Sequence, residues 1–372
     1  MSTLTLLFSP FNLLFFIIFV GFAIGKLRIK RISLGIAGIL FAAILVGFLM
    51  NLHFQKTNEE IILSAQGTMK IFSKLGSGLF VSVIGLQTGF SLKKNSKESV
   101  LAFAIGSLMS ISGVMIMLLI STFDKTIGHA SLLGILCGAL TSTPGLSSVC
   151  ELLVNGSEEA VLGYGSSYLL GVILVVIFTQ ALSSREVEQL SHTHSLQEAK
   201  SKPYSELMLI CVVVPLGNIL GSIRIGALGI CFGSTAATLM VGLLIGCIVH
   251  RLFLSYISSN RALNTMKGVG LALFFAGTGF STGIQAPTFN IKAVLYGAVI
   301  TVSAMLSGWI FCKAVSKKAK LHDEFIIAGG MTSSPAYGAL NAGAVANAIN
   351  DFSFAYFGAS ISLILALQFI IR

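Results

Sequence analysis

GALTSTPGL at 138–146 and GGMTSSPAYG at 329–338 set hydroxyls, glycine and a proline into hydrophobic surroundings where helix would be expected. Proline has no N–H and disfavours helix at the residue before it, while glycine accepts a positive φ, so the helix must break in both places. A break frees backbone N–H groups at the positive end of a helix dipole, which favour an anion, and the hydroxyls add donors and acceptors. Duplicated breaks at matching places in two halves of a membrane chain are the best sequence pointer to a transport site at the bilayer midplane. The alternative is a pair of proline kinks whose Ser and Thr bond back to their own helices.

Working outward, 55% of the 372 residues are hydrophobic, 10% are charged and the mean hydropathy is +0.91. A soluble domain of that composition is excluded. Apolar runs long enough to span a bilayer lie near 10–26, 33–52, 69–90, 99–121, 158–182, 205–223, 227–250, 262–283, 292–313 and 352–371. They predict ten crossings and two interrupted stretches. In the first run the leading cation, Lys26, follows the apolar core instead of preceding it, the reverse of a signal peptide. It reads as a retained helix with its N-terminus outside. A net charge of +10 in such a chain is the positive-inside signature and not a nucleic-acid footprint. Six cysteines without C-x-x-C spacing predict neither disulfides nor a metal site.

The halves align beyond the opening phrases. Gly25-Lys26-Leu27-Arg28-Ile29 parallels Gly221-Ser222-Ile223-Arg224-Ile225; Leu34-Gly35-Ile36 parallels Leu228-Gly229-Ile230; Leu86-Gln87-Thr88-Gly89-Phe90 parallels Ala276-Gly277-Thr278-Gly279-Phe280. Loop charge orients them. If each broken stretch dips into the membrane and returns, seventeen of the 24 Lys and Arg fall on the inner side, Lys267 and the Lys313–Lys320 cluster among them. Lys70 and Lys74 are then assigned outside. Full crossings would put the Lys313–Lys320 cluster outside, against the rule. The prediction is an all-α membrane protein of two inverted repeats of five transmembrane helices, 1–182 and 205–372. Each repeat carries a re-entrant hairpin, and a cytoplasmic linker, 183–204, joins them. Both termini then face outward. Irregular chain survives in hydrocarbon only where protein or a water-filled cavity surrounds it, so the hairpins should be buried and face each other.

The candidate binding residues are accordingly Thr141, Ser142, Thr143, Pro144 and Gly145 at the first tip and Thr332, Ser333, Ser334 and Pro335 at the second. Gln87 and Thr278, near the ends of the third helix of each repeat, line the pathway or serve packing; Asn341 fits the returning arm of the second hairpin or a surface loop. No Asp or Glu lies well inside a spanning run, so coupling through a deep carboxylate has little to rest on. An anionic substrate held by dipoles and hydroxyls is compatible with that scarcity, and so is a sodium ion held by freed carbonyls. No other cofactor is expected. His192-Thr193-His194 lacks a third ligand, and HExxH, GxSxG and nucleotide-loop patterns are missing, so an enzyme reading has no nucleophile or metal site.

TSTPGL followed by Gly163-Tyr164-Gly165-Ser166-Ser167-Tyr168-Leu169-Leu170-Gly171-Val172, with TSSP near the C-terminus, resembles the aspartate:alanine exchanger family of bacterial secondary carriers. The resemblance covers both membrane halves but not the family's large central regulatory domain, in whose place stands only the short linker. It implies a carrier in the bacterial inner membrane that exchanges amino acids or dicarboxylates such as aspartate, alanine or succinate. A sodium-coupled glutamate-type symporter shares the two-hairpin plan and is the runner-up, although its GGHGT-type signature is missing; a channel is a third reading. A scaffold that stays fixed while the site moves is easiest to anchor as a homodimer.

Overall fold

A computed structural model describes residues 9–26, 28–29, 32–33, 36, 38–54, 59–91, 96–153, 156–183, 203–223, 233–252, 260–285, 290–315, 321–340 and 346–371. The linker expected at 183–204 and Asn341 lie outside them, apart from the linker's first residue and its last two. Helices α1 (Pro10–Gly25), α2 (Gly38–Phe54), α3 (Glu59–Ser91) and α4 (Ser96–Phe123) lead to the short α5 (His129–Ala139) and α6 (Thr143–Leu152), then α7 (Ser157–Leu182). The second half runs α8 (Pro203–Ser222), α9 (Gly233–Leu252), α10 (Asn260–Gln285) and α11 (Ile291–Val315), the short α12 (Asp323–Gly330) and α13 (Ser334–Ala339), and α14 (Ala346–Ile371). A two-residue ladder pairs Arg28–Ile29 with Ile32–Ser33.

Each of the ten apolar runs becomes one long helix. Six of these, α3, α4, α7, α9, α11 and α14, are long and apolar enough to cross a membrane by length and composition. Large apolar side chains on the outside, such as Phe19 at 75% exposure and Ile291 at 71%, form the surface expected in lipid and not in water. The chain is a multi-pass membrane protein. Two charge assignments change. The third helix begins at Glu59, so Lys70 and Lys74 stand on helix and not in a loop, and Lys267 lies inside α10 at 5% exposure. Lys267 is accommodated because it faces protein there, and Lys74 because it faces a cavity.

The helices pack as two groups. In one, α3 and α10 lie at the centre with α2 and α9 against them, flanked by α1 and α8; in the other, α4, α7, α11 and α14 enclose the four short helices. α3 and α10 cross at glycines: a Cβ on Gly76 would strike the Phe274 nitrogen and the Gly270 carbonyl, and one on Gly270 the Phe80 nitrogen and the Gly76 carbonyl. This exchange of contacts pairs residues 194 apart, one helical turn away from the register suggested by the Thr-Gly-Phe phrases.

Both broken stretches fold back on themselves. α5 has 11 residues and rises about 16 Å, roughly half of a 30 Å hydrocarbon core. The first hairpin leaves where it entered, since a Cβ on Gly156 would sit 3.0 Å from the Ala130 Cβ. The second begins at His322, whose N–H donates to the Asp351 carboxylate at the start of α14, 3.0 Å away. α4 and α11 are antiparallel, with Met109 against Gly308 and Gly113 against Ile300. The hairpins that follow them therefore enter from opposite faces of the molecule.

Candidate functional site

The two turns are built alike. At the end of α5 Thr141 takes a left-handed φ of 51°, its N–H donates to the Gly138 carbonyl at 2.9 Å, and the Ser142 N–H donates to the Cys137 carbonyl at 2.7 Å. At the end of α12 Thr332 has φ 48°, with N–H bonds to Gly329 at 2.8 Å and from Ser333 to Ala328 at 2.9 Å. This double closure is the Schellman stop, for which glycine is usual. A threonine there costs about 1–2 kcal/mol, and the hydroxyls explain its use. Thr141 Oγ1 donates to the Met331 carbonyl at 2.7 Å, and Thr332 Oγ1 to the Leu140 carbonyl at 3.0 Å. The tips, arriving from opposite faces, are tied to one another by a reciprocal pair of bonds.

The next residue has a different duty. Ser142 caps α6, its Oγ accepting the Gly145 N–H at 3.1 Å, and Ser333 caps α13 by accepting the Ala336 N–H at 3.3 Å. Pro144 and Pro335 then stand in the first turn, where their missing N–H does no harm. Of the hydroxyls, Thr143 and Ser334 are neither tied across nor used as caps, and both line a constriction of about 10 Å³, room for a single water. Thr141, Thr332 and Pro335 of the tips line it too, as do Tyr168 and Tyr356, with Ser77, Thr235 and Phe274 from the other helix group. Gly145 sits behind it, buried, 2.8 Å in Cβ terms from Leu363.

From this constriction a cavity of about 430 Å³ widens among α3, α8, α9 and α10, meeting the hairpin group at Thr143 and sharing Ser77, Val81, Thr143, Thr235 and Phe274 with the constriction. Further out it is walled by Lys74, Asn218, Ser222 and Thr238. Among the described residues the wall contains one cation and no carboxylate. It reaches the end of α8 and the start of α9, the face from which the α5–α6 hairpin enters.

The face of the α12–α13 hairpin is closed. Tyr337 packs on Phe80, Phe325 and Phe352 at ring separations of 6.0, 6.2 and 4.5 Å. Its hydroxyl receives a hydrogen bond from Lys267 Nζ at 3.0 Å, with the ammonium 5.3 Å from the ring centroid. Lys267 also donates to Gln87 Oε1 at 3.3 Å, and Gln87 Nε2 donates to Asn264 at 3.1 Å. Gln87 thus reaches the second hairpin through Lys267 and does not line the constriction. Thr278 is bonded to Ser73 at 2.8 Å, within the α3–α10 pair. Sequence reasoning missed Ser77, Lys74, Thr235 and Lys267. The signal for the lysines was present, as cations at the margin of or inside apolar runs; for the small hydroxyls there was none.

Polar clasps fix where the hairpins begin. Asp124 accepts from the Thr126 hydroxyl and N–H at 2.6 and 2.8 Å and from the Tyr296 hydroxyl at 2.6 Å. These bonds, the Thr126 hydroxyl first, hold its carboxyl well below the usual carboxylate range. At the other hairpin the His322 imidazole lies 2.8 Å from Asp351, which raises its pKa above the ordinary value against the opposing effect of burial. A Cβ on Gly138 would collide with the Tyr164 carbonyl and Ser167 hydroxyl, and one on Gly329 with the Phe352 carbonyl. Each hairpin is thus pressed onto the long helix that follows it.

Residues 13–184 and 209–372 match the family model described as Predicted Permease Membrane Region, Asp-Al_Ex. The chain belongs to that family. Among relatives of this permease chain are uncharacterized transporters of Desulfotalea psychrophila, 32% identical over 170 residues, of Bacteroides fragilis, 30% over 177, and of Corynebacterium glutamicum, 34% over 180. Those matches cover 46%, 48% and 45% of this chain and 28%, 30% and 30% of the relatives. The chain therefore spans under a third of the length of the curated relatives in these matches.

Proposed function

We propose that the chain is a secondary carrier that exchanges carboxylate-bearing substrates, amino acids or dicarboxylates such as aspartate, alanine or succinate, by alternating access. The observation that carries this reading is the cavity of about 430 Å³ that reaches the joined hairpin tips at Thr143, with Lys74 and hydroxyls in its wall and no carboxylate among the described residues. Its size suits a small ligand, and its charge suits an anion. In this reading the two halves are inverted repeats. The antiparallel α4 and α11, the identical turns at Thr141 and Thr332 and the exchanged contacts at Gly76 and Gly270 support it. The helices grouped around α3 and α10 act as scaffold, and the hairpins move past them with substrate at Thr143 and Ser334. Thr141, Thr332 and Pro335 line the same constriction, and with Ser142, Pro144, Gly145 and Ser333 they shape the turns that present those two groups.

The cation-rich side, where the α12–α13 hairpin enters, is assigned to the cytoplasm of a bacterial inner membrane, and both termini to the outside. A scaffold against which a second body moves is held most simply by a second copy, so the carrier is assigned as a homodimer. Purified protein in liposomes loaded with aspartate, alanine or succinate should show saturable counterflow without a sodium requirement, and Thr143→Ala should lower it. Uptake that needs a sodium gradient would favour the symporter, and non-saturating conductance in planar bilayers a channel.

A further inference from the structure

Lys267 is a fully enclosed cation whose partners are neutral. It is 5% exposed, bonds to Gln87 and Tyr337, and pairs with no carboxylate among the described residues. An ammonium removed from water without an anion is costly, and in membrane proteins such groups mark ligand or ion pathways. The helix crossing tells which pathway. Matching residues 194 apart, as Gly76 matches Gly270 and Phe80 matches Phe274, the α3 positions that wall the open cavity fall on one stripe of α10. Ser73 falls on Lys267, Ser77 on Leu271 and Val81 on Phe275. Lys267 therefore stands at the place which, on the open side, is cavity wall, with Tyr337 and Gln87 against it there.

We propose that Lys267 is the carboxylate-binding cation of the passage on the α12–α13 side, held against Tyr337 and Gln87 while the opposite side is open. The assignment rests on the carrier reading and adds to it a substrate contact and an order of events. Displacement of α13 takes the Tyr337 hydroxyl away from the ammonium, and the carboxylate of the arriving substrate replaces it. Each passage then offers one lysine to an anion, Lys74 on one side and Lys267 on the other. Ser73 and Lys74 are neighbours in the chain, so the two cations stand at almost equivalent depths.

Counterflow of aspartate in liposomes tests this with Lys267→Cys, Lys267→Arg and the unsubstituted protein, each treated with charged or neutral thiol reagents. Lys267→Cys should lose at least tenfold in exchange and Lys267→Arg should keep most of it. Aminoethyl methanethiosulfonate, which rebuilds an ammonium on the introduced thiol, should restore exchange, whereas the methyl and sulfonatoethyl reagents should not. Normal exchange in Lys267→Cys, or equal rescue by the methyl reagent, overturns the assignment, because the side chain then acts by bulk or not at all. If Lys267→Cys fails to fold, the decision passes to Lys267→Arg, for which an unchanged KM supports binding and an unfolded or inactive protein overturns it. Absence of counterflow in the unsubstituted protein overturns the carrier reading instead, which separates the two failures.

Discussion

The two faces of the hairpin joint share one backbone plan and differ in what fills them. Toward the α5–α6 side, Ser73, Ser77, Thr235 and Thr238 leave a water-sized neck widening to about 430 Å³. Toward the α12–α13 side, Tyr337 and its aromatic neighbours occupy the matching space and a lysine is buried against them. Small hydroxyls keep a gap wet, whereas aromatic rings close it by dispersion and apolar burial. The difference teaches that one architecture can hold an open and a shut passage together, with side-chain volume deciding which is which.

The largest effect is expected on the open side. Removing a cation that faces a partly desolvated carboxylate costs about 2 kcal/mol, so Lys74→Met should raise the KM for aspartate counterflow about thirtyfold. A wild-type KM would mean that the wet passage does not carry the anion. On the shut side, Tyr337→Phe removes the oxygen that accepts from Lys267, a charge-assisted bond of about 1.5–3 kcal/mol. Deuterium uptake across 334–340 should rise, and unchanged protection would show that the rings alone hold the passage closed.

The joint between the faces is tested by Thr141→Val and Thr332→Val. Each should lower stability by about 1 kcal/mol, and the pair should lower it by less than the sum, because losing one bond already loosens the other. Strict additivity in a thermal double-mutant cycle would argue that the tips are not a unit. The smallest effect concerns the clasp at His322. Its folded pKa lies above the unfolded value near 6.5, so its contribution is fully present below that value and is lost as pH rises through the folded one. Wild type should lose melting temperature relative to His322→Gln over that interval, and parallel curves would remove the histidine from the account.

The ten long helices could be read directly from the sequence because an apolar run in lipid needs a helix to satisfy its backbone. Pro144 and Pro335 likewise announced the breaks. What stayed hidden depends on faces turned toward protein. The polar start of α3 looked like loop because Lys70 and Lys74 interrupt its hydropathy, yet Lys74 faces a cavity beside the helix. Lys267 looked like a loop cation for the same reason. The division of labour at the first tip, where Thr141 ties and also lines, Ser142 caps and Thr143 lines, depends on a left-handed residue that no composition rule assigns to threonine. The register between α3 and α10 escaped because a one-turn shift leaves most small and apolar positions looking alike.

The reciprocal threonine bonds also bear on tightness. Since each tip holds the carbonyl just before the other's turn, neither can withdraw alone without abandoning its own anchor and its neighbour's. In the proposed exchanger the two would travel as one plug, and a continuous aqueous path would require both bonds to fail together. Slippage of solute or ions without exchange would then be suppressed by the fold itself, before any substrate arrives.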